Sequence, residues 1–206
     1  MADRIKVRLT FEEEALGTCS KDPKIHEEFI ASKGPNAHTL AEEIEAIGVD
    51  EVVERSMTGF SMKDGKPILW DYQIKGFFKD ACGMLSRAED TESGKLRAYR
   101  KIIDGLVFVY PRAISLVIPP PSELGECQRP LRASTAQGER IALANSETVS
   151  VGTYLDIEIE SEKLKAKKGG PDLQKCIIEW LDYGKRRGLG QWRNSGKGRF
   201  SYEILD

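Results

Sequence analysis

Histidine, cysteine and a surplus of either charge are all scarce in this chain of 206 residues. Its four cysteines, Cys19, Cys82, Cys127 and Cys176, are widely spaced and form no Cys-x-x-Cys pair, and its two histidines are His26 and His38. Structural zinc sites draw on thiolates and imidazoles paired at short spacing. That spacing is missing, so neither a metal site nor a cofactor is expected. Reduced, mostly buried thiols are what a reducing compartment leaves. No apolar run reaches the ~18 residues that signal a bilayer span, and the N-terminus lacks the basic-then-apolar start of an export signal. The expectation is a cytoplasmic protein with no membrane partner. Lys and Arg total 31 against 33 Asp and Glu, a net charge of −2. Any contact with a polyanion must therefore come from charge patterning.

What is present is ordinary for a globular chain: 40% apolar and 31% charged residues, enough to bury a core without disulfides or metal. Arg4 to Phe11 alternates polar with apolar. That period predicts a half-buried strand with Ile5, Val7, Leu9 and Phe11 inward and Arg4, Lys6 and Arg8 outward. The outer cations read first as a solvated sheet face and second as a basic surface. Asp22-Pro23 fits an N-cap and first helical position, opening a helix that Gly34-Pro35 ends. A second, acidic helix is expected from Thr39 to Ile47, carrying Glu42, Glu43 and Glu45. Residues 56–70 read as a hairpin about the Asp64-Gly65 turn. A core helix follows from Tyr72 to Leu85, capped by Asp71, with Gly76 and Gly83 spaced to pack against sheet backbone.

Beyond a polar break at Glu89 to Gly94, Lys95 to Lys101 is strongly basic. Strands are expected at Gly105 to Tyr110 and Ile114 to Ile118, ended by Pro119-Pro120-Pro121. A second hairpin, 128–147, or an extended thumb-like projection, is studded by Arg129, Arg132 and Arg140. An alternating strand at Thr153 to Glu160, a lysine-rich linker at Glu162 to Gly170 and a helix from Pro171 to about Tyr183 come next. The order suits a single α+β domain over residues 1–206: a ferredoxin-like (RRM-like) antiparallel sheet in β-α-β-β-α-β order, helices on one face, hairpins inserted.

The last helix leads into Gly188-Leu189-Gly190-Gln191-Trp192-Arg193-Asn194-Ser195-Gly196-Lys197-Gly198-Arg199-Phe200. Two Gly-x-Gly pairs flank five residues, and no acidic residue stands between Asp182 and Glu203. Clustered glycines need a backbone reason, such as positive φ or close approach. Two phosphate motifs fail here. A P-loop would need Gly where Gln191 stands, and Ser or Thr after Lys197. A dinucleotide fingerprint would need a third Gly where Arg193 stands, on a strand-to-helix turn rather than a helix-to-strand one. An extended phosphodiester remains, with Lys185, Arg186, Arg187, Arg193, Lys197 and Arg199 for phosphates and Trp192 to stack a base. The alternative is a tight connection with Trp192 in the core.

This Gly-x-Gly, five residues, Gly-x-Gly pattern before a final strand resembles the C-terminal glycine-rich loop of the RAMP superfamily, the ferredoxin-fold RNA-binding subunits of CRISPR effector complexes and their relatives. The stretch from Asp64 through Gln73-Ile74-Lys75-Gly76-Phe77-Phe78 is similar to the family's hairpin, turn and following helix. Glu147-Thr148-Val149 and Gly152 hold places of its late hairpin and strand. Leu69-Trp70-Asp71-Tyr72-Gln73 departs from the family's Pro-Gly-Ser-Ser turn.

That departure, with a compact and net acidic chain, is expected of a divergent stand-alone member from a phage or mobile element. Such a member would hold single-stranded RNA along Gly188, Gly190, Gly196, Gly198 and the neighbouring cations, with Arg129, Arg132 and Arg140 extending the track. One alternative is a non-catalytic structural protein that self-assembles or mimics an effector subunit, the acidic helix at Glu42 to Glu45 meeting a neighbour's basic loop. Another is an endoribonuclease using His26, since metal-free RNA cleavage needs an acid–base group near neutrality. Catalysis is not the main expectation.

Overall fold

The computed structural model describes residues 2–20, 57–135, 138–165 and 170–205. The helices expected between Asp22 and Ile47, together with Asp22, His26, His38 and the acidic Glu42 to Glu45, lie outside the described residues. The chain divides into two compact units. The first takes Met1–Ala15, Ser61–Glu123 and Val149–Asp206, and the second Leu16–Phe60 and Leu124–Thr148. The structure is mixed α+β, with several antiparallel sheets and four described α-helices.

In the first unit, β1 (Asp3–Phe11) buries Val7, Leu9 and Phe11 and turns Arg4, Lys6 and Arg8 to the other side, as its alternation requires. It lies between β11 (Tyr154–Ser161) and β12 (Phe200–Leu205), antiparallel to both, and β11 pairs in turn with β7 (Val107–Tyr110). The resulting order is β12-β1-β11-β7. Chain order through this sheet is β1, helix α1 (Asp71–Leu85), β7, β11, helix α4 (Leu173–Arg187), β12. Two strand–helix–strand crossovers are thus interleaved, each joining strands that run parallel with one strand between them.

Both helices lie on the same face. Ile74, Phe77, Phe78, Ala81 and Cys82 of α1 and Leu173, Cys176, Ile177, Trp180 and Leu181 of α4 are buried at helical spacing. Phe78 meets Trp180 at 5.3 Å between ring centroids, and Phe77 meets Phe200 of β12 edge-on at 5.6 Å. The short helix α2 (Glu92–Lys95) touches both α1 and α4, and α3 (Tyr99–Leu106) packs on α1 and β7. Glu179 of α4 accepts hydrogen bonds from the backbone N–H of Glu92 and Ser93 and from the Ser93 hydroxyl, which in turn accepts from Trp180 Nε1 at 2.9 Å. That network satisfies polar groups that burial would otherwise leave costly. Nearby, burial pushes the Cys176 thiol up to about 12, with the Cys82 thiol adding a smaller effect.

A three-stranded sheet, β5 (Ser61–Lys63), β6 (Lys66–Trp70) and β8 (Ala113–Ser115), completes this unit. Its hairpin turns at Asp64 and Gly65, both at positive φ, which is what an Asp-Gly two-residue turn demands.

Several expectations shift by a few residues for local reasons. The cap position of α1 is Trp70, not Asp71: the Gln73 side chain reaches back to accept the Trp70 N–H at 2.7 Å. Gly76 faces open space and Gly83 meets the Tyr99 side chain, so neither packs on sheet backbone. The glycine that does pack closely is Gly184 of α4, where a Cβ would fall 2.1 Å from the Phe200 ring. Gly105 and Leu106 end a helix rather than start a strand. Asp172, not Pro171, opens α4 by accepting the Gln174 N–H at 3.0 Å.

The described residues of the second unit form a small sheet. The hairpin of β9 (Gly125–Thr135) and β10 (Gly138–Val149) is longer than expected and pairs without a break from Gly138↔Thr135 to Thr148↔Gly125. β2 (Ala15–Leu16), β10, β4 (Thr58–Gly59) and β3 (Cys19–Ser20) follow in that order. Thr58 and Ser146 share a hydroxyl hydrogen bond at 2.8 Å, and Glu147 accepts the Phe60 N–H at 3.0 Å. Among the described residues no helix is long and apolar enough to cross a membrane, and no three His, Cys, Asp or Glu side chains form a metal-binding group.

Candidate nucleic-acid interface

The glycine-rich segment connects α4 to β12 within the first unit. Helix α4 ends where Gly188 turns to φ +77 and donates its N–H to the Gly184 carbonyl at 2.9 Å. The chain then doubles back on itself. Leu189 N–H reaches the Gly198 carbonyl at 2.8 Å, and Gly198 N–H reaches the Glu14 carbonyl at 2.8 Å. At this crossing the two backbones are so close that a Cβ on Gly198 would sit 1.9 Å from the Leu189 carbonyl oxygen, and one on Gly188 would sit 2.5 Å from that of Lys197. Both also lie at positive φ, so no other residue suits them. The outer glycines of the motif are thus required by the loop's own neck.

The five residues between the glycine pairs form a short 3-10 turn, Arg193–Ser195, that follows Trp192. Trp192 adopts a left-handed backbone at φ +52 and is 41% exposed. The indole is therefore on the surface, which corrects the alternative that placed it in the core. The Ser195 N–H and hydroxyl both donate to the Trp192 carbonyl, and Gly196 N–H donates to Arg193. The turn is pinned by its own hydrogen bonds and presents Trp192 at its start.

The loop's cations meet carboxylates from distant parts of the chain. Asp80 of α1 accepts from Arg193 at 2.7 Å and from Arg187 at 3.4 Å; Arg187 also donates to the Asn194 side chain at 2.7 Å. Lys197 pairs with Glu14 at 2.8 Å and Arg199 with Glu13 at 3.4 Å. Lys185 pairs with Asp182 at 2.8 Å, and that hydrogen bond is the main reason its ammonium holds its proton more tightly than usual. Arg186 is exposed and makes no ion pair among the described residues. Asp80, Glu13 and Glu14 were missing from the sequence-based site. The run Glu12-Glu13-Glu14 directly after the first strand was the available signal; Asp80 in a core helix offered none.

The arginines of the long hairpin belong to the second unit. Arg129 is buried to 8% exposure and stands opposite Ala144 in the ladder; Arg132 stands opposite Ile141 and Arg140 opposite Ala133.

Comparison with known proteins gives the fold a counterpart. No family model matches the sequence, and no curated protein is significantly similar to it. Among solved structures, a chain in the cryo-EM structure of the type III-B Cmr-beta bound to cognate target RNA is similar in fold, with a TM-score of 0.51 at 13% identity. The alignment covers 100% of this chain and 59% of that one, so this chain spans about three-fifths of the length of that neighbour. A chain of a type IV-B CRISPR complex aligns at a TM-score of 0.45 and 10% identity, over 98% of this chain and 90% of that one. At 13% identity the likeness to the Cmr-beta chain is one of fold.

Proposed function

We propose that this chain is an RNA-binding protein of RAMP type, with a ferredoxin-like first unit whose glycine-rich loop holds the backbone of single-stranded RNA within a CRISPR-like assembly. The observation that carries the reading is the position and construction of the loop. It sits between the last helix and the last strand of an interleaved sheet, its neck is closed by glycines, and it displays Trp192 beside Arg193, Lys197 and Arg199. The fold counterpart belongs to a complex bound to target RNA, which favours RNA over other polyanions.

In this reading, phosphates take over from Glu13 and Glu14 as partners of the loop cations. The Arg199–Glu13 pair is exposed enough to contribute only about 0–1 kcal/mol, whereas Lys197 is half-buried in its pair with Glu14; several phosphates compete for both cations. Trp192 stacks on a base, worth ~1–3 kcal/mol. Backbone contacts of this kind position the strand and carry little sequence information. The test is titration of a labelled single-stranded RNA at increasing salt, with wild type and an Arg193→Ala/Lys197→Ala/Arg199→Ala variant. Salt-sensitive binding that the variant loses supports the reading; no binding at low salt, or equal binding by both proteins, overturns it.

One observation favours a second reading, a non-catalytic structural subunit that keeps the shape without RNA: the loop cations Arg193, Lys197 and Arg199 each already have a carboxylate partner. Light scattering of nucleic-acid-free protein separates the two, since a strict monomer at high concentration removes self-assembly.

A further inference from the structure

The basic segment Lys95 to Lys101 is not used by the loop, yet it borders a groove on the same unit. That groove, of about 460 Å³, runs between the second half of α1 and the start of α3 and is lined by Lys79, Asp80, Gly83, Met84, Arg87, Tyr99 and Arg100. Its floor is made by Met84, which is 43% exposed, and by Tyr99, whose phenol oxygen packs so close to Gly83 that a Cβ there would lie 2.7 Å from it. Its rim is cationic. Arg87 and Arg100 are exposed and make no ion pair among the described residues, and Lys79 pairs with Asp104 outside the groove. Asp80 is the one carboxylate in its lining.

Asp80 ties this groove to the glycine-rich loop, because its Oδ2 is the acceptor for both Arg193 and Arg187. Asp80 thus stands between the loop cations Arg193 and Arg187 and the groove cations Lys79, Arg87 and Arg100, and Asp104 holds Lys79. Guanidinium groups without carboxylate partners, set beside the exposed Met84 and the Tyr99 ring, suit a flexible polyanion that carries planar faces. Guanidinium forks bind phosphate oxygens in pairs, and the Arg100 guanidinium lies 5.9 Å from the centre of the Tyr99 ring.

We infer that the α1–α3 groove is a second RNA-backbone site, in which Arg87 and Arg100 bind phosphates of the strand that the glycine-rich loop holds. The inference rests on the RNA-binding reading and extends it to residues outside the loop. Lys79 contributes through its stem and Asp80 by fixing Arg193 at the junction.

The test compares three purified proteins, wild type, Arg87→Gln/Arg100→Gln and the loop variant Arg193→Ala/Lys197→Ala/Arg199→Ala, on the same labelled single-stranded RNA across a salt series. The groove arginines are exposed, so the fold should survive; a matching thermal melt checks this, and single variants replace the double one if it does not match. Two lost phosphate contacts at a slope of ~0.7 each make the salt dependence shallower by about 1.4 and weaken binding about twentyfold at 0.1 M salt. If the loop variant loses RNA and the groove variant binds with wild-type affinity and slope, the groove inference falls and the loop reading stands. If wild type binds no RNA, the reading fails and takes the inference with it. If polyglutamate competes for the groove as well as RNA of equal charge does, the site takes acidic protein and the RNA assignment is overturned.

Discussion

Two cationic stretches of this chain look alike in sequence and differ in what surrounds them. On the outer face of the sheet, Arg4, Lys6 and Arg8 stand in register with Glu160, Glu158 and Asp156 of the adjacent strand. Arg8 holds Asp156 with two hydrogen bonds of 2.8 Å and lies 4.3 Å from the centre of the Tyr154 ring, and Arg4 reaches both Glu158 and Glu160. This is a cross-strand charge ladder, and of the two readings of this face the structure supports the solvated one. In the glycine-rich loop, partners come from the turn after β1 and from α1, and each cation is held by one carboxylate or a share of one. A basic run becomes a basic surface only where the fold leaves its charges less than fully matched. The groove beside α1 goes further, since Arg87 and Arg100 have no carboxylate partner among the described residues.

The contrast can be broken most forcefully at the neck of the loop. Gly198→Ala combines a positive φ of +72 with a backbone contact of 1.9 Å. It should cost about 3 kcal/mol or more in urea unfolding. Gly196→Ala, at φ +85 but with only the flexible Arg199 side chain within reach, should cost about 1–2 kcal/mol. Equal losses would mean the neck is not what the glycines serve.

The second comparison concerns RNA. Neutralising Arg193, Lys197 and Arg199 together should weaken binding about a hundredfold at 0.1 M salt, for three contacts at ~0.7 decade each. Neutralising Arg4, Lys6 and Arg8 should leave affinity within about twofold, because ladder cations release few counterions. Filter binding on the two triple variants decides it, and a reversed order would move the site to the sheet face.

A smaller effect is expected at Asp80. Asp80→Asn leaves Arg187 and Arg193, both half-buried, without their shared charge. It should lower stability by about 1–2 kcal/mol, and a melt unchanged from wild type would show that the loop holds its cations without it. The smallest effect belongs to the ladder. The Arg8 hydrogen bonds, and secondarily its charge, hold the Asp156 carboxyl below its ordinary value. A carboxylate depressed in the folded state adds stability above its unfolded value and loses it as pH falls through the folded one. Carboxyl titration by NMR should therefore find Asp156 low in wild type and back in the ordinary range in Arg8→Gln. Arg8→Gln should also lose the acid dependence that this pair contributes.

Periodicity along the chain was enough to determine the inward side of β1, the apolar stripes of α1 and α4, the Asp-Gly hairpin and the long second hairpin, because each depends on residues two to four apart and on turn chemistry local to the bend. It was enough as well to mark Gly188 to Gly198 as a segment under backbone constraint. Element ends moved where a side chain chose its own cap, as Gln73 and Asp172 do.

Only the tertiary structure decided what the cations face. The partners of Arg193, Lys197 and Arg199 lie 113, 183 and 186 positions away in sequence. An ion pair acts over a few ångströms of space, not of sequence, so no local pattern announces it. The same reason hid the groove. Lys79 on α1, Arg87 in the turn just after it and Arg100 on α3 become neighbours when α1 and α3 pack, and the charge of a surface is a property of that packing.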